Sequence, residues 1–287
     1  MRTESPMRKL LFLLLLLPGM LLADHPSLWQ SQDQQLQQQL DTLIKQQNLS
    51  RAVARGNLAL VVVDLTDADN PAVASVNGDK MIYAASLPKI AILLGAFVQM
   101  ERGKLVADPA LWLDMTRMIR HSGNQAATRV LERVGREELL QILQSPQYKL
   151  YDISRNGGLW VGKDYARDGA YKREPLKNLS HAATVMQVAR FYYLLDTDRL
   201  VGPKLSLQMK QIMSDPAISH KFVKGLKSVP DLVMYRKSGT WKNYHADSAL
   251  VEAGEYKYII VGLAQSKQGG KWLEKLALPL HNLIVGK

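Results

Sequence analysis

Residues 87–102, LPKIAILLGAFVQMER, limit most strongly what this chain can become. The run predicts a helix that is apolar on nearly every face, and such a helix is stable only when other elements surround it. Lys89 sits in its first turn. A lysine with no solvated side of the helix to escape to must find hydrogen-bond partners or lose its charge. Ser86, three residues earlier, suits a helix N-cap. Capping calls for no lysine, so the Ser86–Lys89 pair is a candidate for chemistry as well as structure.

The flanking segments can supply the surrounding layers, and 287 residues are enough for a large core. Between 27 and 49, Leu36, Leu40, Leu43 and Ile44 recur at helical spacing among glutamines, predicting an amphipathic helix. Runs 57–65 and 72–76 are β-branched and separated by TDADNP, a predicted hairpin. Helical patterns cover 109–120, 123–134, 136–144 and 204–214. Another starts after Ser180, read as its cap. From Pro146 to Asn178 no period is evident, and a long loop is expected. LVMYRKSG, ADSALVEA and YKYIIVGLAQ read as strands, followed by a helix over 270–285. Strands at both chain ends imply an α+β fold: one antiparallel sheet built from both termini and flanked by helices, plus an all-helical lobe. The expected division is a single domain over 24–287, with an α/β lobe at 24–84 and 216–287 and a helical lobe at 85–215.

The first 23 residues read differently. A basic MRTESPMRK, an apolar LLFLLLLLPGMLL and a small residue at Ala23 predict a cleaved secretory signal, hence a periplasmic protein with no stable membrane insertion afterwards. There is no cysteine, which excludes disulfides, a thiolate nucleophile, a cysteine metal site and a cysteine lipid anchor. The formal charge of +11 favours anionic envelope polymers or an anionic substrate. The positive charges are scattered and carry no nucleic-acid motif, so nucleic acid is not expected as a partner. The six histidines show no metal-binding spacing, and neither metal nor cofactor is expected.

Two short motifs follow Ser86-Leu87-Pro88-Lys89 in order: Ser122-Gly123-Asn124, opening a helical stretch, and Lys237-Ser238-Gly239-Thr240, ending a predicted strand. This trio is the signature of class A β-lactamases and penicillin-binding proteins, and the chain resembles a class A β-lactamase-type serine hydrolase over nearly its whole length past the leader. Two other SxN strings fit less well: Ser75-Val76-Asn77 lies in the hairpin, and Ser154-Arg155-Asn156 in the irregular stretch. A serine hydroxyl needs a neighbouring base to become a nucleophile, and helix positions three apart share a face. The resemblance implies Ser86 as nucleophile, Lys89 as base and Ser122 as proton relay. It further implies Asn124 positioning the substrate amide, Lys237 and Ser238 binding its carboxylate, and the N–H groups of Ser86 and Thr240 forming an oxyanion hole beside Gly239. The substrate would be a small molecule or a peptidoglycan-like amide or ester, acted on by a monomer.

The chain departs from that pattern twice. Ser86 and Ser122 are 36 residues apart, shorter than expected for the family, so part of the helical lobe is trimmed. The ExxLN glutamate that activates the deacylating water has no match. Asp152, Asp164, Asp168 and Glu174 are the acids available, and Asp152 has the spacing to Asn156. Without that base the enzyme would acylate and then stall. A DD-peptidase, an esterase and a non-catalytic envelope binding protein are the alternatives to a β-lactamase.

Overall fold

The structure is a computed structural model and describes residues 25–286. The expected leader lies outside them. Helix α1 (Gln34–Gln46) and the short α2 (Ser50–Ala54) precede strands β1 (Leu58–Asp64), β2 (Ala72–Val76) and β3 (Ile82–Tyr83). The helices α3 (Lys89–Glu101), α4 (Pro109–Arg120), α5 (Asn124–Val134) and α6 (Arg136–Gln144) follow. Short strands β4 (Tyr151–Asp152), β5 (Gly157–Gly158), β6 (Trp160–Val161) and β7 (His181–Ala183) punctuate the irregular stretch and its end. Then come α7 (Val185–Asp196), α8 (Pro203–Met213), α9 (Phe222–Gly225), β8 (Leu232–Trp241), β9 (Tyr244–Ala253), β10 (Tyr256–Gln265) and α10 (Gly269–Val285).

The main sheet runs β2-β1-β10-β9-β8, antiparallel throughout. Its two middle neighbours come from opposite chain ends, with Leu58 facing Ala264 and Asp64 facing Tyr258. The composition of β1 explains this position. Leu58, Leu60 and Val62 pack under α1 and α10, while Ala59, Val61 and Val63 face the helical lobe. A strand buried on both faces reads as one continuous apolar run. Helix α1 is shorter than its sequence pattern, because Asp33 caps it by accepting the Leu36 N–H at 2.7 Å.

Helix α3 is buried at every residue from Lys89 to Gln99, as an all-round apolar helix requires. The predicted cap at Ser180 is corrected. The residues after it, His181–Ala183, form a strand between β3 and β6, and Thr184 caps α7 through the Gln187 N–H at 3.2 Å. Pairing with β3 outweighs a weak local helical pattern there. It also fixes the turn that follows β3, since Ala84 N–H donates to the His181 carbonyl at 3.2 Å.

On the other side of that turn, β8 and β9 are locked to the segment before α9 by one buried ion pair. Arg236 Nε and Nη2 donate to Asp247 at 2.7 and 2.8 Å, and Arg236 Nη1 reaches the Ile218 carbonyl at 2.8 Å. Asp247 also accepts the Phe222 N–H at 3.0 Å. Breaking one half of a buried pair leaves an uncompensated charge, which costs about 3–5 kcal/mol. Asp247→Asn is therefore expected to lower unfolding free energy by about that amount, measured by urea denaturation. A loss within experimental error would show that the pair is not what holds β8 in place.

Candidate active site

The cleft opens where the turn after β3, the start of α5 and the end of β8 meet. It encloses about 370 Å³ and is lined by Ser86, Asn124, Thr240, Trp241, Tyr83, His181 and the loop 163–168. Ser86 stands directly after Ala85, whose φ of 50° is left-handed. For a non-glycine residue that conformation costs roughly 1–2 kcal/mol, so the turn carrying Ser86 is held under strain by its neighbours. Helix α3 starts only at Lys89, with Pro88 at its N-cap and no side-chain cap bond. The Ser86 hydroxyl is thus not used for capping, and its neighbour is Lys89 Nζ at 3.2 Å.

Lys89 is fully buried. Its ammonium has three donors, and three acceptors surround it: Ser86 Oγ, Asn124 Oδ1 at 2.8 Å and the Ser122 carbonyl at 2.6 Å. The Ser122 hydroxyl, expected as a proton relay, is not in this set. The left-handed backbone at Ser122, φ 57°, instead turns the carbonyl toward α3, and the hydroxyl accepts from Lys237 Nζ at 2.9 Å. Burial lowers the Lys89 pKa to about 7. Lys237, also buried, is pushed well below its usual value by desolvation, then by Lys89 and Arg236. Two buried amines this close share a preference for carrying fewer than two protons.

The structure therefore brings Ser86, Lys89, Ser122, Asn124, Lys237, Ser238, Gly239 and Thr240 into one neighbourhood from three separate elements. Gly239 is needed for the approach. A Cβ there would stand 2.3 Å from the Ala84 carbonyl oxygen and 2.8 Å from the Ser86 nitrogen, so only glycine lets β8 lie against the Ser86 turn. That contact puts the strand end carrying Thr240 beside the Ser86 N–H.

Asp152 is corrected as a deacylation acid. Its carboxylate accepts the Ser154 N–H at 2.9 Å and hydroxyl at 2.7 Å, capping a 3-10 turn at Ile153–Arg155, and it does not line the cleft. The other acids are occupied too. Asp164 is clamped by Arg136 at 2.9 and 2.6 Å. Glu174 is buried, accepting the Leu176 and Lys177 N–H groups at 2.7 and 2.6 Å and the Tyr151 hydroxyl. Asp168 lines the cleft and pairs loosely with Lys163 at 3.7 Å.

Three residues of the site escaped the sequence. Tyr165 lays its ring over Lys89, with Nζ 4.4 Å from the centroid, and donates its hydroxyl to the Ala85 carbonyl at 3.1 Å. His181 packs against that ring with centroids 4.2 Å apart and the planes tilted by 45°, and burial lowers its pKa to about 3, so it is neutral. Lys221 is buried behind β8, donating to the Gly239 carbonyl, Thr240 Oγ1 and the Ala246 carbonyl at 2.7, 2.9 and 3.0 Å. An ammonium only donates. Thr240 Oγ1 must therefore accept from Lys221, which leaves its own hydroxyl proton to donate elsewhere. Lys221 lies in SHKFVKGL, shortly ahead of the strand that carries Lys237-Ser238-Gly239, and no local spacing points to Tyr165 or His181.

The profile of the Beta-lactamase enzyme family matches residues 35–114 and 109–282. No curated protein matches the chain in sequence. Among solved structures, PBP-A is similar with a TM-score of 0.65 at 18% identity, over 88% of this chain and 96% of that one. A chromosome-encoded β-lactamase of Vibrio parahaemolyticus is similar with a TM-score of 0.63 at 17% identity, over 85% and 96%. A β-lactamase from Sphaerobacter thermophilus gives 0.63 at 13% identity, over 82% and 94%. With the family profile spanning most of the chain and these structures sharing its fold, the chain belongs to the Beta-lactamase enzyme family, as a β-lactamase-like serine hydrolase.

Proposed function

We propose that the protein is a periplasmic acyl-transferring hydrolase in which Ser86 attacks the carbonyl of carboxylate-bearing amides or esters, β-lactams among them, and releases the acyl group slowly. The observation that carries this reading is Lys89, buried and 3.2 Å from Ser86 Oγ with its pKa lowered to about 7. A neutral amine there is a base for the serine proton. The Ser86 and Thr240 N–H groups stabilise the developing oxyanion, typically a large catalytic contribution. An incoming carboxylate keeps Lys237 charged while Lys89 stays neutral. Lys237 donates to the Ser122 oxygen, so Ser122 passes its own proton to the leaving group and takes one from the Lys237 ammonium, while Lys89 keeps the proton it took from Ser86. The product of this half-reaction is an ester on Ser86.

Slow release follows from what surrounds that ester. A deacylating water needs a base, and the acids near the cleft are tied to Arg136, to backbone N–H groups or to Lys163. The Tyr165 ring covers Lys89 instead of a carboxylate. This favours a DD-peptidase or esterase over an efficient β-lactamase. It also argues against a mere binding protein, which has no use for a buried lysine beside a serine.

A fluorescent penicillin is expected to label the wild type and not Ser86→Ala, and intact-mass spectrometry should find the penicilloyl adduct persisting for minutes or longer. Absence of labelling, with a general serine-hydrolase probe also silent, would reject the assignment. An adduct gone within seconds would reject slow release.

Lys237→Ala should slow acylation by penicillin roughly ten- to a hundredfold more than acylation by its neutral methyl ester, the equivalent of about 1.5–3 kcal/mol for a charge-assisted bond. Equal losses on both would leave Lys237 a purely structural role.

The pH dependence follows from Lys89. Its base form dominates above its folded pKa, so the acylation rate should rise with pH and reach half its plateau near pH 7. The same shift acts on stability with a defined sign. The unfolded chain binds this proton up to about pH 10.4 and the folded one only to about 7, so the burial of Lys89 opposes folding fully below pH 7 and progressively less above it. A rate profile flat from pH 5 to 9 would remove Lys89 as the base.

A further inference from the structure

The described surface holds a second concavity, larger than the cleft, at about 580 Å³ against 370 Å³. It lies between the end of α1, helix α2 and the first turns of α10. Arg51, Arg55 and Lys275 line it, and no lining residue is acidic. None of the three has an ion-pair partner among the described residues. Other arginines do find carboxylates, Arg129 with Asp114, Arg133 with Asp108 and Arg136 with Asp164. Three like charges around one hollow repel each other until an anion enters. Trp272 and the side-chain amides of Gln47 and Asn48 share the lining. An indole face packs against the C–H face of a sugar ring, and amides exchange hydrogen bonds with its hydroxyls.

One backbone hydrogen bond links the rim of the hollow to the strand turn beside the cleft. Ser266 on its rim donates its N–H to the Asn243 carbonyl at 2.7 Å, in the turn between β8 and β9. On the other side of that turn Trp241 lines the cleft while 56% exposed, with Lys242 Nζ 5.8 Å from its ring.

We propose that this concavity is a second binding site, for a carboxylate-bearing glycan strand that presents the substrate to the cleft. The identity of the occupant rests on the reading given under Proposed function; the site itself does not. A polymer held at both places stays near Ser86 at a raised effective concentration, and surface charge speeds its capture.

The test is sedimentation of the mature chain with insoluble peptidoglycan sacculi at low salt. A variant combining Arg51→Gln, Arg55→Gln and Lys275→Gln should bind at least tenfold more weakly, while its rate of labelling by fluorescent penicillin stays within twofold of wild type. All three residues are exposed, so the variant is expected to fold, and its circular dichroism checks this. Ser86→Ala should sediment like the wild type. Sacculi with amidated carboxylates should lose most binding. Equal binding by wild type and triple variant, or by wild type to intact and amidated sacculi, overturns the proposal. So does charge-dependent binding confined to anionic phospholipid vesicles, which would make the occupant a membrane. Charge-dependent sacculus binding in a protein that no probe labels at Ser86 would keep the site and discard the hydrolase reading.

Discussion

Much of the architecture around the cleft follows from putting one amine inside a helix with no wet side. Lys89 needs three acceptors, and its own helix supplies none of them. Ser86 comes from the turn before α3, and Ser122 and Asn124 come from the chain entering α5. The hydrogen bonds that make Lys89 tolerable inside the core therefore position the serine, the SGN segment and the buried helix against each other. Satisfying a buried polar group and assembling a reactive one are here the same set of contacts.

A second constraint acts from the sheet side. Arg236, Lys237 and Lys221 crowd behind the end of β8 with Asp247 as the carboxylate among them. Asp247 is engaged by Arg236 and by backbone N–H groups, so the local balance is positive. Lys237 and Lys221 both donate to hydroxyls, Ser122 and Thr240, and in doing so direct the hydroxyl protons away from themselves. A cleft end built this way offers donors and positive potential, which is what a substrate carboxylate or an oxyanion recruits. The bare α-carbon of Gly239 lets this strand end reach the Ser86 turn.

How much of this was legible depended on whether the signal was local. The all-round apolar helix, the hairpin of β1 and β2 and the three closing strands declared themselves through periodicity and β-branched runs. The order of the three short motifs identified the cleft residues as a set. Ser180 was misread because the stretch Ser180–Ala183 fits a helix start as well as a strand, and only the pairing of β7 with β3 decides between them. Asp152 was considered because acid-to-asparagine spacing can be counted along a chain. Its actual work, capping a 3-10 turn, depends on the backbone of Ser154. Tyr165 and His181 lie in or beside a loop without period, where no spacing rule points at any residue.

What the sequence determined by itself was the kind of chemistry: a serine, a lysine on its helix face, and later serine, asparagine and lysine motifs in the family's order, inside an α+β chain with no cysteine. Side-chain type and helical spacing are encoded one residue at a time, so they survive without coordinates. Tertiary structure decided which atoms of those residues meet. The left-handed backbone at Ser122 assigned its carbonyl to Lys89 and its hydroxyl to Lys237, and the folded loop laid an aromatic ring over Lys89 and tied its acids to other partners. These outcomes depend on backbone dihedrals and on contacts between residues tens of positions apart, set by the packing of the whole core.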